Sequence, residues 1–175
     1  MAVGLIIPMF SPIKIILEPA SFTLASHVAI FIAMFISPGI AVTVALGTTV
    51  GFFLGGFPII VVFRAASHVI FAYLGALYLH KIRNAGSFSA INLRVFSFSV
   101  AIVHALGELI VVSVFFFGER ISDIYYQQGF ARSVLLLLGL GTIIHSMIDF
   151  ELANAVRLAL KKQINIEELF IQKSL

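Results

Sequence analysis

The chain reads as an all-α integral membrane protein: a single domain of six transmembrane helices with both termini in the cytoplasm. Three observations predict it. First, 61% of its 175 residues are hydrophobic and 11% are charged, whereas soluble domains run near ~45–50% apolar and ~25% charged. One soluble core of this size cannot hide that excess, so the solvent is lipid. Second, apolar runs near the roughly 20 residues needed to span a bilayer core follow one another along the chain. Third, Lys and Arg concentrate in alternate loops, as the positive-inside rule requires. The net charge of +3 is modest and gives no footprint for nucleic acid. Without cysteine there are no disulfides and no thiolate metal sites.

The elements follow in order. "MAVGLIIPMF" (1–10) resembles the last part of a first helix, short or truncated, and a start upstream of Met1 stays open. It has neither the basic n-region nor the cleavage site of a signal peptide. Residues 11–22 form an outer loop with one Lys14 and one Glu18. The second helix covers 24–36 and ends at "SPG" (37–39). The third, 40–57, carries Gly47, Gly51 and Gly55. Glycines four apart make a smooth stripe that another backbone can approach, a helix-packing or subunit-docking seam. The fourth, 58–79, opens on Pro58, whose missing N–H costs little at a helix start. Loop 80–94 holds Lys81, Arg83 and Arg94 with no acid and belongs inside. The fifth helix is 95–117. Loop 118–133 mixes Glu119 and Asp123 with Arg120 and Arg132 and belongs outside. The sixth is 134–160, and Arg157, Lys161, Lys162 and Lys173 put the C-terminal end inside. The tail 161–175 is either a solvated tail or a surface helix with Ile164, Leu169 and Phe170 toward lipid or a partner.

The last three helices carry ionisable pairs at i, i+4: Arg64 with His68, His104 with Glu108, and His145 with Asp149. Residues four apart share a helix face, so each helix shows one polar stripe. Charged groups in membrane helices face the bundle interior or a cavity and pair there. At about 1.5 Å of rise per residue, His68, Glu108 and His145 fall in one layer roughly 15 Å down from the outer surface. Arg64 lies above that layer, and His104 with Asp149 below it. A structural account pairs Arg64 with Glu108 and His104 with Asp149. A functional account makes the six residues the lining of a cavity open to the outside. There Arg64 is the anchor for an anionic group, because guanidinium binds carboxylate in bidentate fashion. His27, at the outer start of the second helix, is either pocket lining or a packed histidine.

Other classes are weighed against this one. "HALGE" and "HSMID" space His from a carboxylate as two metal ligands on one face would be. His104, Glu108, His145 and Asp149 would then serve an intramembrane metal-dependent hydrolase. The H-E-x-x-H pattern is absent, no glycine loop cradles phosphate, and no serine has the context of a nucleophile. A purely structural membrane subunit is the third possibility.

The run "EPASFTLASHVAIFIAMFISPGIAVTVALGTTVGFFLGGFPIIVVFRAASHVIFAYLGALYL" (18–79), with its "SPGIA", "GFP" and R-x3-H elements, resembles the S components of energy-coupling factor (ECF) vitamin transporters. It is most similar to the niacin-type group. The resemblance implies a six-helix S-component fold and a multi-pass protein of the cell membrane that is not an enzyme and needs no cofactor. It implies a vitamin site near the outer face among the last three helices, capped by the first outer loop, with niacin the expected vitamin. Pyridoxine or a hydroxymethylpyrimidine is the neutral rival. It also implies a transmembrane coupling subunit and two cytoplasmic ATPases as partners, and release by toppling in the membrane. The family's A-x-x-x-A docking motif on the first helix is not visible in 1–10, so docking through that helix is not carried over.

Overall fold

In the computed structural model the described residues are 14–17, 20–23, 25–86 and 89–172, with side chains for 25–86 and 89–162. The expected helix over 1–10 lies outside them. Two strands, β1 (Lys14–Leu17) and β2 (Ala20–Thr23), pair antiparallel with Lys14 opposite Thr23 and Leu17 opposite Ala20. The segment expected as a plain loop is therefore a hairpin. Its two strands flank Glu18–Pro19, and proline supplies no N–H to continue a helix.

The rest is helical: α1 (Val28–Ile36), α2 (Pro38–Leu54), α3 (Ile59–Asn84), α4 (Ala90–Phe117), a short α5 (Asp123–Gln128) and α6 (Gly141–Gln172). A wide, π-type segment, Ala131–Leu140, leads directly into α6. Among the described residues three spans are long and apolar enough to cross a membrane: Ile59–Asn84, Ala90–Phe117 and Ala131–Lys162, with Pro38–Leu54 a shorter apolar helix. Large apolar side chains such as Phe53, Ile70, Phe98, Ile110 and Leu136 cover the outside of the bundle, as a multi-pass membrane protein requires.

Several expected boundaries move, for local reasons. "SPG" does not only end a helix. The Ser37 hydroxyl accepts the Ile40 N–H and Pro38 occupies the first turn, so α2 starts at Pro38 rather than 40. Ser89 caps α4 in the same way through the Asn92 N–H. α4 therefore begins five residues before the expected 95 and takes Arg94 out of the loop. α3 runs past 79 to Asn84, where Gly86 at φ 68 closes it with its N–H on the Arg83 carbonyl. Hydropathy marks where lipid ends, whereas caps mark where the helix ends. The expected loop 118–133 contains α5, and the expected helix 134–160 is helical from Ala131 through Gln172. How Ile164, Leu169 and Phe170 face lies outside the described side chains.

Side-chain contacts give the helix directions. Arg64 meets Glu108, and Tyr78 meets Phe96 at a ring separation of 5.8 Å, so α3 and α4 are antiparallel. Thr142 meets Glu108 and Phe150 meets Phe96, so α6 is antiparallel to α4. The buried body of the bundle is aromatic: Phe31, Phe71, Phe96 and Phe150, with Met34 among them. A second apolar cluster, Val112, Val134 and Leu138, packs at the other end of α4. Between the two lies the polar layer described below.

α3 approaches both α1 and α4 at Gly75. A Cβ there would stand 3.0 Å from Met34 Sδ and 3.2 Å from Val100 Cγ2. Gly75→Val is expected to cost about 1–3 kcal/mol through overpacking, read as a lower melting temperature of the detergent-solubilised protein. Gly39→Ala, with nothing within 4 Å of its Cβ, is the control and should melt with the parent.

Candidate binding site

Asp149 organises one half of the polar layer. It is fully buried and reaches across the bundle to the entry of α1. Its Oδ1 accepts the Ala25 N–H at 2.7 Å, and its Oδ2 accepts the His27 N–H at 2.9 Å. The N-cap His27 makes no side-chain cap of its own. A carboxylate 122 residues along the chain from His27 thus satisfies N–H groups that a helix start leaves orphaned. Ala25 holds φ 67, a left-handed conformation that a non-glycine residue keeps only when its surroundings impose it. The same Oδ2 lies 3.0 Å from His27 Nδ1 and 3.3 Å from His145 Nε2. Ser26 Oγ closes the group at 3.0 Å from His145 Nε2 and 3.1 Å from His27 Nδ1.

Glu108 organises the other half. Its Oε2 accepts from Arg64 at 3.0 Å and from the Thr142 hydroxyl at 2.7 Å. Its Oε1 faces His68 Nε2 at 3.4 Å and His104 Nε2 at 3.6 Å. One carboxylate therefore ties α3, α4 and α6 together. The Glu108 side chain is 4% exposed and that of Arg64 17%, so the pair is desolvated and each partner depends on the other.

Four imidazoles join the halves. His27 meets His68, His104 and His145 at ring separations of 4.7, 4.6 and 5.2 Å, and His68 meets His104 at 4.7 Å, all edge to face. Phe71 stacks on His104 at 4.3 Å and forms the floor of the layer. Buried within it, Arg64 Nε and both ring nitrogens of His104 have no hydrogen-bond partner among the described residues.

The structure brings together all seven residues singled out in the sequence, but not in the expected order. Arg64 pairs with Glu108 as expected. His104 does not pair with Asp149: it sits with His68 and His27 beside Glu108, and Asp149 belongs to His27, Ser26 and His145. Nor do His68, Glu108 and His145 form one layer with Arg64 above. Antiparallel packing puts Gly107 against Ser67, so Glu108 sits between Arg64 and His68 in height and meets both, with His104 one turn further along beside His68. His27, ambiguous in sequence, is the centre of the cluster. Ser26, Phe71 and Thr142 were not singled out. Thr142 lies a near-turn before His145, a hydroxyl on the polar face of its helix, and that was the available signal. Gly47 and Gly51 are half-buried and Gly55 is exposed, beside the packed face of Ala41, Ala45, Thr48 and Phe52.

The chain is 39% identical to the niacin transporter NiaX of Lactococcus lactis subsp. cremoris (strain MG1363), across 95% of this chain and 73% of that protein. The chain belongs to the niacin-type ECF S components. No family model and no solved structure matches it. As an S component it is a substrate-binding membrane subunit of a transporter, and the hydrolase reading of His104, Glu108, His145 and Asp149 falls away. The geometry agrees, since those four residues do not converge as one ligand set.

Two outcomes follow for this S component. Arg64→Met strands a buried carboxylate and should cost about 3–5 kcal/mol, whereas Arg64→Met with Glu108→Leu should cost less than the single change; thermal unfolding in detergent measures both. Asp149→Asn weakens the bonds to the α1 entry, and hydrogen exchange at the Ala25 and His27 amides should speed up while exchange in the middle of α4 does not.

Proposed function

We propose that this S component captures niacin from outside the cell and passes it to an ATP-driven importer. The observation that carries this reading is the relationship to a niacin transporter over nearly the whole chain. The chemistry of the buried layer supports it. Nicotinate offers a carboxylate, an aromatic ring and a ring nitrogen. Arg64 supplies a guanidinium whose Nε is unpartnered, suited to a carboxylate. The imidazoles of His68, His104, His145 and His27 supply edges for the ring and a partner for its nitrogen, while Glu108 and Asp149 hold those groups in place.

The alternation of helix directions and the basic loops support a six-helix bundle with 1–10 as the first helix and both termini cytoplasmic. In that orientation the Arg64 side of the layer faces outward and the hairpin β1–β2 lies over it. A transmembrane coupling subunit and two cytoplasmic ATPases complete the importer, and the glycine stripe Gly47, Gly51 and Gly55 is the proposed docking face.

Titration of the purified protein with nicotinate tests the reading. Arg64→Ala should weaken binding about 10- to 100-fold, the equivalent of losing a charged hydrogen bond worth ~1.5–3 kcal/mol. Arg64→Lys, which keeps the charge but not the planar fork, should fall between. Unchanged affinity in Arg64→Ala would remove the anchor role. Binding of pyridoxine or a hydroxymethylpyrimidine in place of nicotinate would move the substrate to a neutral vitamin.

A further inference from the structure

We infer that His27, His68 and His104 form a binding site for a divalent transition metal of the zinc class, buried in the centre of the bundle. One ring nitrogen from each lies within 4.8 Å of the others, and all three residues are buried. Two metal–nitrogen bonds of ~2.0–2.1 Å at a tetrahedral angle place their nitrogens about 3.3 Å apart. Small side-chain rotations close the difference.

The surroundings are those a metal-bound imidazole uses. A ligating histidine commonly gives its other ring N–H to a carboxylate, which fixes the tautomer and raises the ligand's basicity. His27 and His68 have such a partner, and His104 stands beside one. Asp149 Oδ2 is 3.0 Å from His27 Nδ1. Glu108 Oε1 is 3.4 Å from His68 Nε2 and 3.6 Å from His104 Nε2. His104 is the telling member, with both nitrogens buried and without a hydrogen-bond partner among the described residues, an arrangement that costs free energy unless something is ligated.

Charge points the same way. Among the described residues two carboxylates face a single guanidinium, and Asp149 meets imidazoles, a hydroxyl and backbone N–H groups. With neutral imidazoles the layer carries an excess negative charge inside a lipid-embedded bundle, where isolated charge is expensive. A cation at the triad offsets it. Three imidazoles and no thiolate select zinc, cobalt or nickel over magnesium or calcium. The alternative triad, His27, His145 and Asp149, is less suited. Using Asp149 as a ligand would draw it from the Ala25 and His27 amides that it caps.

The inference shares His27, His68 and His104 with the vitamin reading, and the experiment separates the two. The full chain, purified in detergent and stripped with a chelator, is titrated with Zn2+ and separately with Co2+. Saturable, stoichiometric binding is expected, with the visible absorption of tetrahedral Co2+. His104→Gln and His68→Gln should each abolish that absorption and the rise in melting temperature that Zn2+ gives the parent. His80→Ala, far from the triad, should leave both unchanged. A variant that does not fold is replaced by Asp149→Asn, which should weaken metal binding about 10- to 100-fold as a lost outer-shell partner does. Absence of saturable metal binding, or its persistence in both His→Gln variants, would overturn the site. Nicotinate is titrated into the stripped protein in parallel. Nicotinate binding without metal binding sinks this inference and leaves the vitamin reading intact. Metal binding without nicotinate binding supports the site and removes niacin.

Discussion

Lipid offers an ionised side chain no water to fall back on, and in this bundle Glu108 is the residue where that constraint is resolved. Its two oxygens collect a guanidinium from α3, a hydroxyl from α6 and the edges of two imidazoles. The guanidinium cannot be withdrawn without leaving a charge in a medium that penalises it by several kcal/mol. The carboxylate therefore fixes how three helices sit against one another. Van der Waals packing alone would fix this less sharply, since apolar side chains face lipid and neighbouring helices with nearly equal ease.

Asp149 performs a related task at the edge of the bundle. It substitutes for the cap that α1 lacks and holds Ala25 in a left-handed turn. The short helix α1 and the hairpin before it are thereby attached to the longest helical stretch of the chain. The polar layer is thus assembled from parts far apart in sequence. Its floor of Phe71, Phe31 and Phe150 lets the polar groups end abruptly in an apolar core.

Much of this was legible in the residues. The apolar runs announced lipid. The i, i+4 pairs placed Arg64, His68, His104, Glu108, His145 and Asp149 on inward faces, because a charge within a span has few other places to go. What could not be read was which stripe meets which. That depends on the relative heights of antiparallel helices, and caps such as Ser37 and Ser89 set those heights outside the hydropathy signal. His27 carried no partner at i+4 to mark it. Phe71 was one of eighteen phenylalanines, and Thr142 one of several hydroxyls; only the fold distinguishes them. The pairing of β1 with β2 was hidden because its sequence has no strict alternation.

The wide turn from Ala131 to Leu140 bears on all of this. A helix wound with i→i+5 bonds advances less in angle per residue than an α-helix. Ten residues of it accumulate an angular offset between the Ala131 end of the span and everything that follows. Thr142, His145 and Asp149 come immediately after, so the segment sets the azimuth at which they enter the bundle. It works as a rotary adjustment. Rewinding it into ordinary α-helix would leave the composition of the span untouched and turn its polar face away from Glu108 and His27.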